Sequence, residues 1–161
     1  MKKKIWIALI AILVVIQFIS PKKNMSEGKQ VNAIETKYSV PDSVSSILAV
    51  ACMDCHSNNT KYPWYNNIQP VAWWLSNHVN EGKKHLNFDE FTTYSLKRQD
   101  DKLEEFIKSQ KEGWMPLDSY SLIHRDAVLS PAQKQTLIQW AQGLRTQIQA
   151  DSTFSQSSDK P

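Results

Sequence analysis

Both cysteines of this chain fall in one pentapeptide, Cys52-Met53-Asp54-Cys55-His56. Two thiols separated by two residues lie one helical turn apart, so each can add to one vinyl group of a single porphyrin, and the adjacent imidazole then lies beneath the iron. That spacing is the attachment signature of c-type haem. A disulfide between Cys52 and Cys55 would close too short a loop to stabilise much, and a redox C-x-x-C calls for a βαβ setting that the chain lacks. A zinc site would have to recruit from His78, His85 and His124, which offer no H-x-x-x-H pair. The chemistry expected is one covalently attached haem c, with Cys52 and Cys55 as anchors and His56 as the proximal iron ligand.

The sixth iron position has several candidates. Gly113-Trp114-Met115-Pro116 stands between two expected helices, where a Met is poorly placed to fill a helix interface and well placed to reach the far side of a haem. Met115 is therefore the distal ligand of choice, and a thioether raises the reduction potential over a second imidazole. His78 is the runner-up, because it falls on the apolar stripe of a helix; His124 and His85 follow. Trp64, Trp73, Trp74, Trp114 and Trp140 are available to wall a flat apolar cofactor, Trp64 and Trp74 being the binding candidates. Lys61, Lys83, Lys84 and Arg125 read first as solvated charges and second as partners for propionates or an acidic redox protein.

Helices must position these groups. Val44, Ile47, Leu48 and Ala51 recur at helical spacing after Pro41-Asp42-Ser43, so a first helix runs into Cys52. Val71, Leu75, His78 and Val79 mark a second, from about Pro70 to a stop at Gly82. Leu103, Phe106 and Ile107 mark a third, with Gly113 at its C′ position. Ser130-Pro131-Ala132-Gln133 is an N-cap, a first-turn Pro and a capping-box Gln, which opens a last helix carrying Leu137, Trp140, Ala141 and Leu144. No stretch alternates with period two for long enough to form a strand. The fold class expected is all-α, a small cytochrome c-like helical domain with long loops around one haem.

Length and composition bound the rest. The chain has 161 residues, 41% of them hydrophobic and 22% charged, enough for one modest domain and its core. It has only 4 Gly, with no G-x-x-x-x-G-K and no G-x-G-x-x-G, so nucleotide chemistry has no foothold. The net charge of +3 comes from Lys2, Lys3 and Lys4 alone, which argues against a nucleic-acid partner.

Those lysines precede an apolar run from Ile5 to Ile19, and residues 1–20 read as a signal anchor or signal peptide. No small-residue cleavage site follows the run, which favours an uncleaved N-terminal membrane anchor over a removable leader. The run covers about 22 Å of a ~30 Å hydrocarbon core, short for a span unless the flanking lysines snorkel. The lysine bias leaves the N-terminus cytoplasmic and the body on the periplasmic side of a bacterial inner membrane, where c-type haem is attached. Residues 21–40 read as a linker, 41–149 as the haem-binding domain and 150–161 as a disordered tail.

Beyond the pentapeptide, Ser57-Asn58-Asn59-Thr60, Tyr62-Pro63-Trp64-Tyr65, Ile68 to Leu75, His78 with Glu81-Gly82-Lys83, Leu86-Asn87-Phe88, Gly113 to Pro116, Tyr120 and His124 to Leu129 resemble the bacterial haem-binding domain family seen largely in Bacteroidetes. The resemblance covers Cys52 to about Ala141 and implies a small, single-haem, helical domain behind an N-terminal leader. Arg125 departs from it, standing where a Pro is expected after the His. The function expected is periplasmic electron transfer between redox partner proteins by a monohaem c-type cytochrome. Rival readings are a haem-based gas or redox sensor and a peroxidase-like enzyme, both with an open sixth position.

Overall fold

The computed structural model describes residues 2–157. Among them are seven α-helices and no strand: α1 (Lys2–Ile16), α2 (Asp42–Ala51), α3 (Met53–His56), α4 (Val71–His85), α5 (Leu96–Glu112), α6 (Asp118–Ser121) and α7 (Pro131–Gln149). The all-α expectation holds.

The frame is the pair α5 and α7. α7 opens on a complete capping box: the Gln133 amide donates to Ser130 Oγ at 3.2 Å and the Ser130 amide donates to Gln133 Oε1 at 2.9 Å. Two of the helix's orphan donors are thereby satisfied. α5 starts at Ser95, whose Oγ accepts from the Arg98 amide, and ends at Gly113, where φ of 76° is open to glycine and strained for other residues. Leu103, Phe106 and Ile107 of α5 meet Leu137, Ile138, Ala141, Leu144 and Ile148 of α7 in one core, to which α2 adds Val44 and Leu48. Each fully buried large apolar side chain contributes about 1.5–3 kcal/mol, so this seam dominates stability. At one end of the seam Arg145 donates to both carboxylate oxygens of Asp100, at 2.7 and 3.1 Å, and Gln149 adds a third bond.

Three expectations are corrected here. Residues 21–40 are not a free linker: Ala33, Ile34 and Tyr38 are buried, and Tyr38 donates to Gln99 within the core. The segment also carries Asn24, which bonds the Ser57 carbonyl and Thr60. In the tail, Phe154 packs on the core and the Lys97 amide donates to Ser157, so the stretch up to residue 157 is placed; the rest of the expected disordered tail, 158–161, lies outside the described residues. α4 does not stop at Gly82 but continues to His85, and its inner stripe is Ala72, Leu75 and Val79, with Val71 turned outward. The apolar leader forms α1, yet no helix among the described residues is long and apolar enough to cross a membrane.

Candidate functional site

α2 breaks at Cys52 (φ −130°), and the chain immediately makes the single turn α3. Within it the Cys55 and His56 amides both bond back to the Cys52 carbonyl, at 3.2 and 3.0 Å, so the two thiols share one side of a tight turn. An extended Ser57 ends it, and the following Asn-rich segment is clamped in place. The Asn58 amide donates to Asp89 at 2.7 Å, while the Asn58 side chain joins Asn87, Gln30 and Glu90. The polar run after the pentapeptide thus works as a fixed base for the attachment turn.

His56 is oriented by the backbone. Its Nδ1 lies 2.8 Å from the Leu86 carbonyl oxygen, which can only accept, so Nδ1 carries the proton and Nε2 keeps its lone pair. Burial holds the imidazole below its ordinary pKa, against the opposing pull of the Leu86 and Gly82 carbonyls. The ring is neutral at physiological pH, the form that ligates metal.

A cleft of about 650 Å³ opens beside this turn. Cys52, Cys55 and His56 form its floor, His78, Gly82 and His85 of α4 one side, Phe106 and Gln110 of α5 another, and Trp114, Met115, Pro116 and Tyr120 a third. Both cysteines are free thiols. Burial pushes Cys52 up to about 12, reinforced by Cys55, and pushes Cys55 up to about 11, reinforced by Asp54. Both are therefore protonated, without the lowered pKa that activates a redox pair.

The fit to a haem can be tested on the residues themselves. The floor offers two neighbouring thiols and an imidazole Nε2, the donor set that covalent haem needs. Gln110 lines the same cleft, is only 2% exposed, and leaves its Oε1 without a hydrogen-bond partner. That oxygen can only accept, so it calls for a donor such as water in the cleft, and the fit to haem rests on the thiols and the imidazole. The residues fit the group.

Gly82 explains how α4 comes so close. A Cβ there would lie 2.6 Å from the Cys55 carbonyl oxygen and 3.0 Å from the Cys55 Cβ. Only glycine lets the helix lie against the attachment turn. A glycine inside a helical stripe costs about 1 kcal/mol and signals a packing reason, which is the clue the sequence held.

Of the expected site residues, Cys52, Cys55, His56, His78 and Met115 come together at the cleft. Trp64 and Trp74 do not wall it and are corrected: Trp64 is exposed against Tyr65, and Trp74 is exposed beside the His78 ring. Trp74 also supplies the carbonyl that faces His78 Nδ1 at 2.9 Å, leaving Nε2 of His78 free. Trp114 is the tryptophan that lines the cleft, while Trp140 packs edge-on against Phe106 and donates to the Ser39 carbonyl. His85 borders the cleft, but His124 sits behind the turn, bonded to Tyr65 at 2.8 Å and stacked on Tyr120. Lys83 is tied to Asn24. Gln110 and the Leu86 carbonyl had no type or spacing to mark them.

A helical domain that holds two adjacent thiols and a backbone-oriented imidazole at the floor of one cleft belongs to the class of haem-binding proteins. The chain matches the haem-binding domain family over residues 11–143, and it is a member of that family. Nothing matches it among curated proteins or among solved structures.

Proposed function

We propose that the chain is a monohaem c-type cytochrome that passes single electrons between larger redox proteins on the periplasmic side of a bacterial inner membrane. The observation that carries this reading is the His56 imidazole, held through Nδ1 by Leu86 with Nε2 free, next to two protonated thiols in the same cleft. Cys52 and Cys55 would hold the haem covalently, each thiol supplying one thioether link to a vinyl group. A haem bound in this way supplies an iron that accepts and returns one electron. His56 would be an iron ligand through Nε2, and its hydrogen bond to Leu86 would make it a more basic one.

Met115 would supply the second protein ligand to the iron. It reaches the cleft from the loop after α5, whereas His78 stands on α4, the helix that lies against Cys55 on the attachment side. Trp114, Phe106 and Phe88 line the cleft and would limit water around a bound haem, which would disfavour the extra positive charge of ferric iron. The 15 residues of α1 hold the body at the membrane, with Lys2, Lys3 and Lys4 at one end and Lys22 and Lys23 at the other reaching for the headgroups.

The test is covalent attachment. Protein matured with the c-type machinery should keep its haem through acid-acetone extraction and denaturing gels, and Cys52→Ser with Cys55→Ser should lose it. Haem that extracts freely from the wild-type chain overturns the c-type reading.

A further inference from the structure

We propose that Ile68 and the first turn of α4 form a seat on which the folded body rests against the headgroup layer of the bilayer that α1 enters. The proposal rests on α1 being the membrane attachment. From Lys2 to Val15 every residue of α1 is exposed, so nothing among the described residues covers this apolar helix. Its lower end is tied to the body at two points. Gln17 and the Gln69 backbone exchange two hydrogen bonds, at 2.9 and 3.2 Å, and the Trp73 indole donates to the Ile19 carbonyl at 2.7 Å. The attitude of the body to α1 is thereby set.

What surrounds those ties is apolar. Val71, Trp73 and Trp74 are 37%, 37% and 46% exposed and Ile68 is 45% exposed, while Ala72 and Leu75 between them face inward. Further along the same helix Asn80 and Lys84 are exposed, while Asn77 and Glu81 border the cleft. One helix thus changes its outer face from aromatic to polar with distance from the foot of α1. A helix surrounded by water gains nothing from that gradient; a helix that starts at a membrane interface does, because indoles prefer the headgroup level. Lys22 stands three residues beyond Ile19, where its ammonium group can meet phosphates.

Photolabelling tests it with the full holoprotein in vesicles of phosphatidylethanolamine and phosphatidylglycerol containing a trace of headgroup-diazirine phosphatidylethanolamine. Trypsin separates the three relevant regions: α1 in Ile5–Lys22, the seat in Tyr62–Lys83, and the exposed Leu122 and Ile123 in Glu112–Arg125. The expected result is lipid adducts on the first two peptides, mapped by fragmentation to residues 68–74 in the second, and several-fold fewer on the third. Adducts on Ile5–Lys22 alone overturn the seat and leave the attachment standing. Equal labelling of Tyr62–Lys83 and Glu112–Arg125 also overturns the seat. Failure of the protein to float with the vesicles overturns the attachment and the seat together. If Tyr62–Lys83 gains lipid adducts only when the protein is diluted in the membrane, a second copy covers the face, and the seat is overturned.

Discussion

A methyl group on Gly82 would lie 2.6 Å from the carbonyl oxygen of Cys55, so the close passage of α4 across the attachment turn depends on one absent side chain. The atoms in the way are backbone and Cβ, which cannot swing aside as the end of a flexible side chain can. Gly82→Ala should therefore displace α4 despite alanine's better helix propensity, at a cost of about 1–3 kcal/mol. Because His56 is oriented through Leu86, just beyond the end of α4, haem incorporation should fall as well. Chemical denaturation and the yield of covalent haem per chain check the two effects. Unchanged stability and yield would show that the turn is more yielding than its packing implies.

The attachment turn was legible because covalent chemistry fixes residue type and spacing at once, and the helix starts were legible because Ser130-Pro131-Ala132-Gln133 satisfies amides locally. What was not legible depended on partners distant in sequence. Ile34 and Tyr38 are spaced for one face of a helix, but two apolar residues in a polar stretch give no sustained period, and Tyr38 is held by Phe91 and by Gln99 of α5. Trp64 and Trp74 have the right chemistry for a haem wall, yet the phase of α4, set by Ala72, Leu75 and Val79, turns Trp74 away from the body. Gln110 is polar in a polar helix, and only the cleft beside it makes its amide oxygen informative.

Asp100 links stability to pH. Burial raises its pKa, but the hydrogen bonds from Arg145 and Gln149 outweigh that and hold the carboxyl below its ordinary range. A carboxylate depressed on folding contributes stability that is fully present above its unfolded pKa and is lost as pH falls through the folded value. Asp100→Asn should lower stability at neutral pH by about 1.5–3 kcal/mol, since bonds to a charged group in a mostly buried site are removed. It should also flatten the loss of stability below about pH 4. Urea denaturation at neutral and acid pH measures both; a variant whose acid-side slope equals that of the wild type excludes the linkage.

Tyr120 braces the attachment turn from behind. Its hydroxyl donates to Asp54 Oδ2 at 2.8 Å, and its ring stacks on His124 with centroids 4.2 Å apart and planes 10° apart. Burial and the adjacent Asp54 carboxylate both push the phenol pKa up, so it stays a donor throughout the accessible pH range. Tyr120→Phe keeps the stack and removes one bond to a charged acceptor, for a loss of about 1–2 kcal/mol in this half-exposed setting. Tyr120→Ala should cost more, because the ring also lines the cleft. Thermal melts of the two variants should rank in that order, and a Phe variant as stable as the wild type would mean that water replaces the bond without penalty.

The last prediction concerns the sixth iron position. Met115 follows the left-handed cap at Gly113, which ends α5, and it lines the cleft from the loop beyond that helix. His78 lines it too, with Nε2 free, so both side chains are chemically able to ligate. With Met115 in place, the ferric protein should show a sulfur-to-iron charge-transfer band. Met115→Ala should abolish the band, lower the reduction potential because the thioether's preference for ferrous iron is lost, and admit carbon monoxide or cyanide at the vacated position. His78→Ala should leave the band intact. If His78→Ala changes the low-spin spectrum and Met115→Ala does not, two imidazoles hold the iron and the high-potential part of the carrier reading falls. If neither variant matters and the wild-type iron is five-coordinate, the open position is the working one, and a sensor or a peroxidase displaces the electron carrier.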